Sequence, residues 1–136
     1  MQHAFKFVAL FVFAILTACG ASTPPPSATS TPKEITVAQL KTMLDQNENF
    51  VLLDVRTPAE FVQDGRVAQS ILIPLQELEQ RLNELPTDKP IVCICRSGNR
   101  SATACDLLRS RGYEAINVAG GMRAWKAAGY SIVFGQ

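Results

Sequence analysis

The stretch from Pro90 to Gly112 constrains the fold of this chain more than any other. Pro90-Ile91-Val92-Cys93-Ile94-Cys95 is an almost unbroken apolar run, the pattern of a strand buried in a parallel sheet. It passes directly into Arg96-Ser97-Gly98-Asn99-Arg100, and a helix is predicted from Ser101 to Arg111, closed by Gly112. Parallel sheets bind ligands at the carboxyl ends of their strands, and Cys95 stands at such an end. The residues after it are small, polar or cationic, so their backbone N–H groups can curl around an anion. The helix that follows points its positive end at the same spot. A Cys95 thiolate is therefore expected to be stabilised by N–H donors, a helix dipole and the guanidinium groups of Arg96 and Arg100. The plain alternative is a strand, a turn and a helix around an inert core cysteine. The two arginines and Gly98 weigh against it.

The remaining elements follow from capping and periodicity. Thr36 is placed to cap a helix that carries Val37, Leu40 and Leu44 on one face. Phe50 to Val55 reads as a buried strand. Thr57-Pro58-Ala59-Glu60 is a helix start, with an N-cap threonine, proline at the first helical position and glutamate at the third. Ser70 to Ile73 reads as a short strand stopped by Pro74, and Leu75, Leu78, Leu82 and Leu85 mark an amphipathic helix. Ala115 to Val118 is a further strand. Gly120-Gly121 then turns the chain into a last helix, with Trp125 inward and Gly129 at its end. Strands alternating with helices predict an α/β fold: one parallel sheet with helices on both faces and right-handed crossovers.

The folded part is expected to span residues 34–136. Before it, residues 1–18 read as a signal peptide: Lys6 supplies the positive charge, Phe7 to Leu16 the apolar core, and small residues precede Cys19. Leu16-Thr17-Ala18-Cys19 looks like a bacterial lipobox, in which the cysteine is lipidated and becomes the first mature residue. An ordinary signal peptide with an incidental Cys19 is the alternative. Residues 19–33 form a Pro/Ser/Thr-rich tether. Gly20 to Pro32 has no charge and no large apolar side chain, and extended it would reach roughly 40 Å. The expected location is the cell envelope, at the periplasmic face, with the outer membrane open.

Loss of Lys6 leaves 12 basic against 12 acidic residues, a balance that gives no argument for nucleic acid. The single histidine, His3, is also lost, which excludes histidine-assisted nucleophiles and histidine metal sites from the mature chain. Neither a metal nor a cofactor is expected, and the domain is expected to be a monomer.

Three blocks in order carry a family resemblance. Asp54-Val55-Arg56-Thr57-Pro58-Ala59-Glu60-Phe61, with Gly65 and Pro74, is similar to the first motif of rhodanese domains. Cys95-Arg96-Ser97-Gly98-Asn99-Arg100-Ser101 resembles the active-site loop of single-domain members. Gly120-Gly121-Met122-Arg123-Ala124-Trp125, with Gly129-Tyr130, is similar to the C-terminal motif. Arg66 stands where the family usually has histidine, and Leu72 where asparagine is common.

The resemblance implies sulfane-sulfur transfer. Cys95 would take sulfur from a small anionic donor such as thiosulfate and pass the persulfide to a thiophilic acceptor, cyanide-like or a thiol, including a protein thiol. Arg100 is expected to bind the donor sulfonate or to organise the loop, and Arg96 to steer anions or to be a solvated rim charge. Gly98 is expected to permit the loop backbone, and Ser97 and Asn99 to act through N–H groups. Asp54 is expected to tie loops rather than react. Cys93 points to the same face as Cys95, one step deeper, as core or as a resolving thiol, and Cys105 is expected to be buried on the following helix. Rival functions are a persulfide carrier or binding module without turnover, and a cysteine-loop phosphatase or arsenate reductase. The latter place five residues between cysteine and arginine, where four separate Cys95 from Arg100.

The N-terminal sequence makes one prediction. Cells fed a fatty-acid analogue should label the wild-type protein at Cys19, and Cys19→Ala should abolish both the label and membrane partitioning. A Cys19→Ala protein that still labels and partitions would overturn lipidation.

Overall fold

The structure is a computed structural model that describes residues 31–135. The signal peptide, Cys19 and most of the tether therefore lie outside the described residues. Among the described residues there are five strands: β1 (Glu34–Ile35), β2 (Val51–Asp54), β3 (Ile71–Leu72), β4 (Ile91–Ile94) and β5 (Ala115–Val118). They form one sheet in the order β1-β5-β4-β2-β3, with every pairing parallel. The helices are α1 (Val37–Asp45), α2 (Pro58–Gln63), α3 (Asn99–Ser110) and α4 (Gly121–Ala127), with a 3-10 segment at Leu78–Glu84.

The sheet separates two cores because successive residues of a strand face opposite ways. On one side Ile91, Cys93 and Cys95 pack with Leu53, Leu78, Ala104 and Leu108, under α3 and the 3-10 segment. On the other, Val92 and Ile94 pack with Leu40, Ile116, Met122 and Trp125, under α1 and α4. The expected α/β class, with helices on both faces, is what the chain adopts. Both predicted helix starts are present as full capping boxes, Thr36 with Gln39 and Thr57 with Glu60. Trp125 is buried and donates to the Ser131 carbonyl oxygen at 3.0 Å.

Three elements differ from expectation. The leucine pattern from Leu75 to Leu85 forms a 3-10 segment broken at Arg81, not an α-helix. The Leu75 N–H is still bonded to the Val55 carbonyl oxygen at 3.1 Å, so the sheet continues to that residue and leaves only a short span beyond it. Pro86 and Pro90 bound the other side, and the short span closes with tight turns instead. Helix α3 begins at Asn99 rather than Ser101, because Gly98 takes the cap position. Strand β1 pairs with β5 through only two residues, too few to leave a periodicity.

At the carboxyl end of β2, Asp54 and Arg56 form a buried ion pair, with less than 2% of either side chain exposed. Arg56 donates to the Asp54 carboxylate through Nε at 2.9 Å and Nη2 at 2.7 Å. It also reaches the carbonyl oxygens of Glu60 and Gly65, at 3.3 and 3.0 Å. The Arg56 N–H donates to the same carboxylate at 3.0 Å, so Asp54 anchors the loop as expected. What Asp54-x-Arg56 did not reveal is that the arginine is the main partner and crosses to α2 and its exit turn.

Removing Arg56 leaves a buried carboxylate with no counter-charge. Arg56→Met should lower the unfolding free energy in urea by about 3–5 kcal/mol, and the double variant Asp54→Asn/Arg56→Met should recover a large part of the loss. Equal destabilisation of the single and double variants would show that the ion pair is not the cause.

Candidate active site

Cys95 lies one residue beyond β4, and the chain turns there because α4 holds its carbonyl groups. The Met122 N–H donates to the Cys95 carbonyl oxygen at 2.8 Å, and the Arg123 N–H to the Arg96 carbonyl oxygen at 3.0 Å. These are N–H groups of the first turn of α4, which have no partner inside their own helix. The Arg96 carbonyl shares its peptide unit with the Ser97 N–H, so drawing it outward turns that N–H toward the sulfur. Gly121 makes this contact possible. Its φ is +53°, and a Cβ there would fall inside the contact shell of the Cys95 carbonyl oxygen.

The sulfur is surrounded by donors. The Gly98 N–H is 3.1 Å from Sγ, and the N–H groups of Ser97 and Ser101 also donate to it. Gly98 reaches this position at φ +100°, a conformation other residues rarely adopt, with the backbone of Gly120 and Val118 packed against its open side. The Ser101 hydroxyl lies 3.3 Å from Sγ and 3.1 Å from the Gly98 carbonyl oxygen. That carbonyl already accepts the Ala102 N–H at 3.0 Å, so the single hydroxyl proton can be given to the sulfur. Cys95 is fully buried. Burial pushes its thiol up, but the Ser101 hydroxyl and the N–H groups of Ser101, Ser97 and Gly98 outweigh it, and the thiol ends below its ordinary value.

The other loop residues are placed differently from one another. Arg96, Ser97 and Asn99 are exposed. No hydrogen bond connects Asn99 to the sulfur. Arg100 turns to Glu60 rather than to the cysteine, at 2.8 and 2.6 Å from its two carboxylate oxygens. The hydrogen bond from Arg100 holds the Glu60 carboxyl down to about 2, against the opposing effect of burial. Glu60 also caps α2 through Thr57, so one carboxylate joins α2 to the cysteine loop. Its link to Arg100 was not visible in sequence, where Glu60 read only as a capping residue 40 positions away. The Arg100 guanidinium still feels the Cys95 and Asp54 charges through space.

The two deeper thiols are in contact with each other. Cys93 and Cys105 are buried beneath the loop in the same core as Cys95, and hydrogen-bond each other. Contact with Cys105, together with burial, pushes the Cys93 thiol well up. A thiol in that state is a core residue rather than a nucleophile.

A family model described as Rhodanese-like domain matches residues 36–128. YtwF of Bacillus subtilis is 39% identical over 94 residues, covering 69% of this chain and 90% of that protein. A protein of Allochromatium vinosum named Sulfurtransferase is 39% identical over 101 residues, covering 74% of this chain and 94% of its own length. Among solved structures, a rhodanese-related protein from Thermoplasma volcanium superposes with a TM-score of 0.69 at 37% identity, covering 74% of this chain and 97% of that one.

The donor set around Sγ predicts a specific pH response. A thiol made more acidic by folding adds stability above its unfolded pKa, and that stability is lost as pH falls through the folded pKa. Ser101→Ala removes one donor and should move the rising limb of iodoacetamide alkylation of Cys95 to higher pH. An unmoved limb would mean that the hydroxyl does not act on the sulfur.

Proposed function

The chain belongs to the rhodanese-like domain family, and from that premise we propose that it is a sulfurtransferase in which Cys95 carries the sulfur. The observation that carries the proposal is the ring of backbone and hydroxyl donors focused on one sulfur atom. Thiosulfate is the proposed small donor. The Cys95 thiolate attacks its outer sulfur, the S–S bond of the donor breaks, and sulfite departs with the electron pair. The persulfide is left on Sγ, and total charge is conserved in the step. A thiophilic acceptor then attacks the outer sulfur, and Cys95 leaves as the thiolate that the donors favour. This is covalent catalysis with the cradle serving the leaving group in the second half-reaction.

The structure also bears on the phosphatase and arsenate reductase alternative. That chemistry needs a guanidinium directed at an oxyanion over the thiolate. Here Arg100 is paired with Glu60, and the donors converge on Sγ itself. The exposed Arg96, one residue from the nucleophile, is the cation available to draw an anionic donor in. The lipobox-like Leu16-Thr17-Ala18-Cys19 and the tether support placing this activity at the cell envelope.

Intact mass measurement after incubation with thiosulfate tests the proposal. Wild type should gain the mass of one sulfur atom and lose it to cyanide. Cys95→Ser should not load, while Cys93→Ala and Cys105→Ala should load as wild type does. Loading of Cys95→Ser would remove Cys95 from the chemistry.

A further inference from the structure

The two arginines of the cysteine loop are held in opposite ways. Arg56, Arg66, Arg81, Arg100, Arg109 and Arg111 each hold a carboxylate or a carbonyl oxygen. Among the described residues Arg96 and Arg123 are the two arginines whose side chains make no ion pair and no hydrogen bond. Arg96 therefore leaves its charge open next to the nucleophile, whereas Arg100 gives both terminal nitrogens to Glu60. That carboxylate is fixed independently of Arg100. The Thr57 N–H and hydroxyl donate to its Oε2 at 3.1 and 3.0 Å, as part of the capping box that starts α2. Nη1 of Arg100 reaches the same oxygen at 2.8 Å, and Nη2 reaches the other at 2.6 Å. Only 20% of the Glu60 side chain and 32% of the Arg100 side chain is exposed. This is a two-pronged ion pair, partly shielded from water, on a carboxylate that is already ordered. An anion entering over Sγ has to take Arg100 away from it.

We propose that Glu60 is a positioning residue that sets specificity: it cancels the Arg100 charge and so keeps inorganic oxyanions such as phosphate and sulfate from settling over the Cys95 sulfur. The inference rests on the sulfurtransferase reading and adds what that site refuses. Arg100 directly precedes Ser101, which donates to Sγ, and its guanidinium acts on the Cys95 charge through space. Without Glu60 that cation would add a full charge to the ring of N–H and hydroxyl donors, and the loop would hold any small anion. Paired with Glu60, Arg100 brings no net charge to the site. The distinction matters because thiosulfate presents a sulfur that the thiolate can attack, so brief binding is enough for transfer. Phosphate and sulfate present only oxygens, and either one resting over Sγ would block the nucleophile.

Glu60→Gln tests this, because glutamine serves a capping box as glutamate does and keeps a side-chain acceptor while losing the charge. The other charged groups around the loop stay in place: Asp54 with Arg56 at the end of β2, Asp64 after α2, Arg96 in the loop and Arg123 on α4. Alkylation of Cys95 by iodoacetamide, a neutral reagent, is followed on the full chain by the mass of the Cys95 peptide. Glu60→Gln should move the rising limb to lower pH. Arg100→Gln, which leaves Glu60 without its cation, should move it to higher pH, and the double variant should return close to wild type. In about 50 mM inorganic phosphate, against chloride at equal ionic strength, Glu60→Gln should alkylate about twofold or more slowly, with wild type and the double variant nearly unaffected. Wild type slowed by phosphate as much as Glu60→Gln, or single variants whose limbs do not move in opposite directions, overturns the proposal. Should Glu60→Gln fold poorly in a thermal melt, Arg100→Gln and the wild-type phosphate series carry the decision, and an upward limb with an insensitive wild type is then the supporting result. Thiosulfate loading of Cys95 is measured separately by mass. Failure there strikes the sulfurtransferase reading, while the alkylation series decides the role of Glu60 without any turnover.

Discussion

The hydrogen bonds from the first turn of α4 to the carbonyl oxygens of Cys95 and Arg96 are the contacts on which the site depends. A peptide unit has one carbonyl and one N–H on opposite edges, so fixing the first fixes the second. The Arg96 carbonyl shares its peptide unit with the Ser97 N–H, so by pulling that carbonyl away α4 leaves the Ser97 N–H facing Sγ. The arrangement also satisfies helix-end donors that would otherwise need water or another cap. One set of contacts thus closes α4, bends the loop and builds the cradle. It works only with Gly121 at the crossing, since any side chain there would occupy the space of the Cys95 carbonyl.

A second layer of contacts ties this loop to the opposite side of the site. Arg100 joins α3 to Glu60 on α2, and Arg56 joins α2 and its exit turn to the end of β2. The two arginines act on the scaffold, one exposed by about a third and the other fully buried. Because Glu60 is held near 2, its contribution is intact above the ordinary carboxylate pKa and is lost as pH falls from there toward 2. At neutral pH the loop is therefore braced from α2 as well as from α4. The cations that remain for ligands are those the scaffold does not use.

Cys93 and Cys95 show how local geometry separates two chemically identical groups. They lie two residues apart on the same face of the sheet, and both are fully buried. For Cys93, contact with the Cys105 thiol and burial outweigh the pull of the Arg109 charge, so its proton is held. Cys95 has hydroxyl and backbone donors at the mouth of the sheet, so its proton is released more readily. Burial acts in the same direction on both, and the hydrogen-bond donors decide the difference.

The sequence alone determined those features that depend on local chemistry. The N-caps at Thr36 and Thr57, the buried strand ending at Cys95, the need for glycine at position 98 and the alternation of strands with helices are all short-range patterns, and each is present. Only the tertiary structure decided which groups meet across the fold. Arg100 could have faced the sulfur or the scaffold, and Glu60, distant in sequence, drew it to the scaffold. The leucines from Leu75 to Leu85 carry a helical spacing, yet the sheet bond at Leu75 and the flanking prolines left room for tight turns alone. Arg96 and Arg123 look like any other arginines in the chain. Their isolation is visible only once every other arginine has found its partner, because pairing is a property of three-dimensional neighbours and not of spacing along the chain.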